Sequence, residues 1–171
     1  MLKIIPIILL FFSCNGTTEL DDCAGVEGGS AEFDACGICS GPGFITFEKV
    51  NSADWTLPEN QDSISNTIII TRKNNQSLYN IKQEDGYSGQ NDSPMGTLWA
   101  LSSTAQANSE DYVSFVSIHG GSGGGGPGSL VGDTISLYLP DEELYFDIIL
   151  SSYSGGDSGG GFAWKRICIN N

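Results

Sequence analysis

Basic residues are scarce in this chain: 7 Lys+Arg stand against 21 Asp+Glu, a formal charge of -14 over 171 residues. That balance repels phosphate backbones and anionic headgroups, and it argues against nucleic acid as a partner. Histidine is limited to His119, so zinc or a histidine base has one residue to draw on. No stretch joins a 3.6-residue apolar period to a cap over ten or more residues, which leaves at most a turn of helix at Ser103–Tyr112. The apolar run Ile4–Phe12 falls well short of the ~20 residues that cross a bilayer.

Glycine, by contrast, is abundant at 23 residues, and aromatic and β-branched residues remain plentiful, which fits a loop-rich β-protein better than a disordered tail. From Phe44 onward, short β-type runs alternate with Gly, Asn, Asp, Ser and Pro. They are Phe44–Val50, Thr67–Arg72, Leu78–Lys82, Thr97–Leu101, Val113–His119, Thr134–Leu139, Leu144–Leu150 and Phe162–Ile169. About eight such runs predict an all-β fold, an antiparallel sandwich of jelly-roll-like type. Ile135, Leu137 and Leu139 share one face of their run, and Leu144, Phe146, Ile148 and Leu150 share one face of theirs. Thr67–Thr71 is apolar on both faces and reads as a central, doubly covered strand.

The N-terminus carries an address. Lys3 precedes the apolar run, and Ser13-Cys14 follows it directly, the layout of a secretory signal. Leu10-Phe11-Phe12-Ser13-Cys14 resembles the lipobox of bacterial lipoproteins. The resemblance implies cleavage before Cys14, acylation of its thiol and a membrane-anchored, exported protein. Residues 1–13 are then a signal peptide, 14–20 a tether, 21–43 a small Cys-rich segment and 44–171 the β-domain. Setting Cys14 aside leaves Cys23, Cys36, Cys39 and Cys168, an even number in an exported chain, which predicts two disulfides among three possible connectivities. Cys36-Gly37-Ile38-Cys39 has the spacing of a redox centre or half a zinc site. It lacks the βαβ context of the first and further ligands for the second.

Asp22-Cys23-Ala24-Gly25-Val26, Gly28-Gly29-Ser30-Ala31 and Asp34-Ala35-Cys36-Gly37-Ile38-Cys39-Ser40-Gly41 together resemble a cysteine-rich repeat of secreted and surface proteins. Such repeats accompany thrombospondin type 3 calcium repeats. The resemblance implies a calcium site that would draw on Asp21, Asp22 and Asp34; the other reading of the segment is a disulfide-pinned spacer with solvated acids. Further on, Thr56-Leu57-Pro58-Glu59-Asn60-Gln61-Asp62, Ile70-Thr71-Arg72, Trp99-Ala100-Leu101, Tyr145-Phe146-Asp147-Ile148 and Ser158-Gly159-Gly160-Gly161-Phe162 resemble a module recurring in secreted proteins of Bacteroidetes-type bacteria. That resemblance implies an exported β-domain and carries no catalytic residues.

Three patterns invite chemistry. Gly156-Asp157-Ser158-Gly159-Gly160 reproduces the string around the nucleophile of chymotrypsin-like peptidases, but His119 is the only base in the chain and the length does not accommodate two barrels. The run Gly120–Gly128 lacks the lysine and helix of a phosphate-binding loop and reads as a mobile loop. Carboxylates for glycan hydrolysis would have to come from Asp141-Glu142-Glu143 or Asp147. The expectation is therefore a non-enzyme, an exported surface protein that binds a glycan or protein ligand, with a structural or assembly role as the alternative and glycan hydrolysis behind both. A sugar platform would use Tyr138, Tyr145 and Asp147 on one strand face, or Trp55 in a loop. Trp99 and Trp164 read as core.

Overall fold

The computed structural model describes residues 20–89 and 92–169, so the signal sequence, Cys14 and most of the tether lie outside the described residues. The fold is all-β, built from eight strands in two antiparallel sheets with a sandwich-like arrangement. The five-stranded sheet has the order β1 (Phe44–Lys49), β8 (Phe162–Cys168), β7 (Leu144–Tyr153), β6 (Thr134–Leu139), β5 (Leu98–Ala100). The three-stranded sheet has the order β2 (Asp62–Ser63), β3 (Ile69–Thr71), β4 (Tyr79–Asn80). Strands β5 to β8 follow one another as a meander that closes on β1. The likeness to a jelly roll therefore extends to the two-sheet architecture and not to the strand order.

Period-two alternation builds this arrangement. In β8, Phe162, Trp164, Arg166 and Cys168 are buried while Ala163, Lys165 and Ile167 are half-buried. In β6 and β7 the expected faces hold, with Ile135, Leu137, Leu139, Ile148 and Leu150 all inside the core. Trp99 and Trp164 stand there too, their rings 6.3 Å apart, and Trp99 packs on Phe115 at 4.9 Å. β3 is the central strand of its sheet, with Ile70 and Thr71 fully covered.

Arg166 is the exception on the buried face of β8. It meets Asp62 of β2 at 3.0 Å through Nη2, and Asp62 also accepts a 2.7 Å hydrogen bond from Trp164 Nε1. All three groups are almost fully buried, so the pair joins the two sheets inside the molecule. The run Val113–His119, expected as a strand, is different: only Val113 bridges to Trp99, and Phe115–Ile118 forms a helical turn, α1. Ser114 caps it by accepting from Ser117 N, Phe115 N donates to Ser93 Oγ, and Phe115 and Ile118 face the core at helical spacing. The strand that takes its place in the count, β2, has no apolar signal to announce it.

The disulfides are Cys23–Cys39 and Cys36–Cys168. The two cysteines of Cys36-Gly37-Ile38-Cys39 thus pair with different partners, and the second bridge ties the N-terminal segment to β8. That segment is two copies of one loop. Asp22 accepts the amides of Ala24, Val26 and Ala31; at a constant offset, Asp34 accepts those of Cys36, Ile38 and Gly43. Each carboxylate nucleates its loop in place of apolar burial.

Two consequences are measurable. Asp62→Ala strands a buried guanidinium and is expected to cost about 3–5 kcal/mol in denaturant unfolding, with Asp62→Asn costing less. Cys168→Ser is expected to cost about 2–5 kcal/mol, and peptide mapping of the native protein should return the two bridges above with no free thiol among the four cysteines.

Candidate ligand-binding site

The strand face expected to hold a sugar does assemble. Tyr138 and Tyr145 are register partners on β6 and β7, and their rings stack at 4.3 Å and 11°. Tyr112 then packs edge-on to both, and its hydroxyl accepts from Ser136 Oγ. Asp147, on the same face, accepts from the amide and hydroxyl of Thr104, both at 2.7 Å. The segment after β5 thus folds back over this face, and Asp147 serves as its anchor. Burial and the neighbouring Tyr138 hydroxyl push the Tyr145 phenol upward. Trp55 is half-buried and is separate from the tyrosines: it lines a cleft with Lys73, Asn74, Asn75 and Asp157, with Lys73 Nζ 5.7 Å from its ring centre.

Asp21, Asp22 and Asp34 do not converge. Three backbone amides occupy each of the Asp22 and Asp34 carboxylates and hold them below the ordinary range, the amides of Val26 and Ile38 contributing most. Among the described residues no group of three His, Cys, Asp or Glu side chains is placed to hold a metal ion.

A third region gathers groups that the sequence keeps apart. Arg72 follows β3 and is 2% exposed. Its Nε donates to Gln76 O, and its Nη1 donates to Ser154 O and Gly161 O. The guanidinium lies 3.9 Å over the Tyr153 ring. Neither of the ion pairs among the described residues, Lys73–Asp85 and Arg166–Asp62, includes it. Lys49, equally buried, donates to Gly160 O at 3.3 Å, and desolvation, followed by the Arg72 charge, holds its ammonium below the usual range.

These two cations fasten the loop that carries Gly156-Asp157-Ser158-Gly159-Gly160. Its first half, Gly155–Ser158, is exposed, and its second half, Gly159–Gly161, is buried. Gly160 sits at φ +69°, and a side chain there would strike the backbone of Lys73 and Asn74. Gly161 N donates to Asn51 Oδ1, and Ser52 N donates to Gly159 O. The triple glycine is therefore a close crossing of backbones.

Beside Arg72 opens a cleft of ≈ 290 Å³ whose wall includes Ser77, Tyr87, His119 and Tyr153 together with Gly121, Gly126 and Gly156. Both glycine-rich runs frame it, the first as two short 3-10 turns at Gly121–Gly123 and Pro127–Leu130. His119 follows α1, packs edge-on against Phe115 and is 7% exposed. Among the described residues neither of its ring nitrogens has a hydrogen-bond partner, and Ser158, exposed in its own turn, does not pair with it. Ser77 Oγ is likewise unpartnered: it lies beside the Tyr153 hydroxyl without completing a hydrogen bond. Desolvation raises the phenols of Tyr153 and Tyr87 and lowers the His119 imidazole. The carbonyls of His119 and Gly121 pull the imidazole the other way without hydrogen-bond geometry, and burial wins.

Sequence reasoning singled out His119 and both glycine runs for other chemistry and passed over Arg72, Ser77, Tyr87 and Tyr153. The usable signal was Arg72 itself, a charge continuing the buried run Ile68–Thr71. Its partners at Ser154 and Gly161 lie far along the chain. No protein-family model, curated protein or solved structure matches the chain.

A neutral buried imidazole has a pH signature. Because the folded state disfavours the imidazolium, the stability tied to His119 is present above about 6.5 and is lost as pH falls through the lower folded value. The His119 ring protons should titrate below that reference in NMR, and His119→Phe should flatten the decline of stability in that window. A midpoint at or above the reference would refute the burial argument.

Proposed function

We propose that the chain is an exported, lipid-anchored protein of a bacterial cell surface whose sandwich-like domain is a non-catalytic binding module for a glycan or protein ligand. The observation that carries the binding half is the Arg72–His119 cleft, which combines a buried cation outside the ion pairs of the described residues with unpartnered polar atoms. Export is supported by two disulfides in a small domain and by the signal-like N-terminus ending at Cys14. The lipobox-like stretch and the resemblance to secreted Bacteroidetes-type modules favour an outer-membrane or cell-surface address. In this reading Asp22 and Asp34 organise loops, calcium is assigned no role, and the tyrosine cluster is part of the frame.

The domain's place in the chain suits such a role. The Cys36–Cys168 bridge fastens the last strand to the Cys-rich segment that follows Cys14 in the sequence. Cys14→Ser should move the protein from the membrane fraction to the soluble one, since an acyl chain contributes about 0.8 kcal/mol per buried CH₂. Unchanged membrane retention would remove the anchor from the proposal. Screening the lipid-free protein against arrayed glycans and peptides tests the binding half, and silence across both arrays would leave the structural or assembly role as the better account.

A further inference from the structure

We infer that the cleft beside Arg72 is a subsite for a carboxylated sugar, a uronic acid residue within a glycan. The inference rests on the binding-module reading above and names the ligand class for it.

Charge is the first argument. The chain carries 21 Asp+Glu, yet among the described residues no carboxylate lines this cleft and Arg72 is the one formal charge there. Arg72 is buried, and carbonyl oxygens of Gln76, Ser154 and Gly161 are its hydrogen-bond acceptors. Carbonyl dipoles hold the guanidinium in place and leave its charge uncompensated. A ligand carboxylate supplies the missing charge, and hydrogen bonds between ionised groups are the stronger kind.

The unpartnered atoms are the second. His119 Nδ1 and Nε2 and Ser77 Oγ are buried with no partner among the described residues. Leaving such a group unmet costs about 1–3 kcal/mol. A neutral imidazole offers one donor and one acceptor, and a serine hydroxyl offers both. Sugar hydroxyls also donate and accept, so a ring bearing several of them meets all three atoms. A fully ionised anion such as sulfate would answer Arg72 and, having no donor, leave the imidazole acceptor unmet. A peptide terminus brings one carboxylate and few groups of dual character.

Shape is the third. At ≈ 290 Å³ the cleft lies at the lower edge of the ~300–1,000 Å³ typical of small-molecule sites, which suits one sugar ring with its neighbours in solvent. The half-buried Tyr87 lines the cleft and supplies aromatic surface for sugar C–H groups, whereas one face of Tyr153 is taken by Arg72. His119 stands at the head of the run Gly120–Gly126, which has almost no side chains to unpack when a ligand reaches the imidazole.

The test is calorimetric titration of the full chain with tetragalacturonate and, separately, with galactotetraose. Tetragalacturonate should bind about tenfold more tightly or better, the margin expected of a charge-assisted contact. Arg72→Gln should abolish the preference, but Arg72 also holds the Ser154–Gly161 loop, so two milder variants keep the test sound. Asn75→Glu places a carboxylate on an exposed position of the cleft wall and should weaken tetragalacturonate about tenfold without moving thermal unfolding. Trp55→Ala, in the neighbouring cleft, should leave binding unchanged.

Equal affinity for the two tetramers would overturn the acidic-sugar assignment and leave the binding-module reading standing. Tetragalacturonate binding indifferent to Asn75→Glu would overturn the assignment of this cleft. Preference for peptides with a free C-terminal carboxylate would overturn the saccharide. Absence of binding to both tetramers overturns the inference, and it reaches the binding-module reading only if the glycan and peptide arrays are silent as well.

Discussion

Asp62 holds the two sheets together from the inside. Its carboxylate receives Arg166 and the Trp164 indole from β8, while its own strand pairs with β3 of the other sheet. A buried ion pair is a poor source of net stability, because desolvation of both charges offsets most of their attraction. It is a strong source of register. Strand β8 can present Arg166 inward only if Asp62 is opposite, and a one-residue slip would put Lys165 in the core. Phe162, Trp164 and Cys168 share the face that this pairing selects, so the core aromatics and the second disulfide depend on it.

The same economy appears in how loops are fixed. Lys49 and Arg72 are buried cations that donate to backbone carbonyls of the β7–β8 connection, Arg72 to Gln76 O as well, and Asn51 and Ser52 bind that connection from the side. Asn80 does similar work where β4 ends. Its side chain accepts from Ile69 N and Lys82 N and donates to Thr67 O and Met95 O, replacing the strand bonds that the chain leaves behind. In the N-terminal segment Asp22 and Asp34 play this part twice over. Polar side chains thus do the work of regular structure in a domain where strands as short as two residues make up much of one sheet.

Such a frame gives the glycine-rich wall of the Arg72 cleft a defined shape. The glycines near Asn51, Lys73 and Asn74 allow backbones to cross closely, and that crossing sets the position of Arg72 relative to Tyr153. His119 reaches the same place from the end of α1, a helical turn inserted where β-branched residues suggest a strand. Ser114 as cap and the spacing of Phe115 and Ile118 are compatible with that turn, and Ser93, accepting the Phe115 amide from across the chain, fixes it.

Composition and alternation were enough to define an all-β domain, six of its eight strands to within a residue or two along most of their length, the core tryptophans and a two-disulfide framework. These follow from local rules: a period of two, the polarity of turns and the even number of cysteines after Cys14. Disulfide pairing, the strand at Asp62, the turn at Phe115 and the Arg72–His119 cleft required the tertiary structure. Each joins residues distant in sequence, Asp62 to Arg166, Cys36 to Cys168 and Arg72 to Gly161. Local pattern reports which face a side chain prefers, but a buried charge is placed by the partner it finds across the fold, and that partner has no periodicity to betray it.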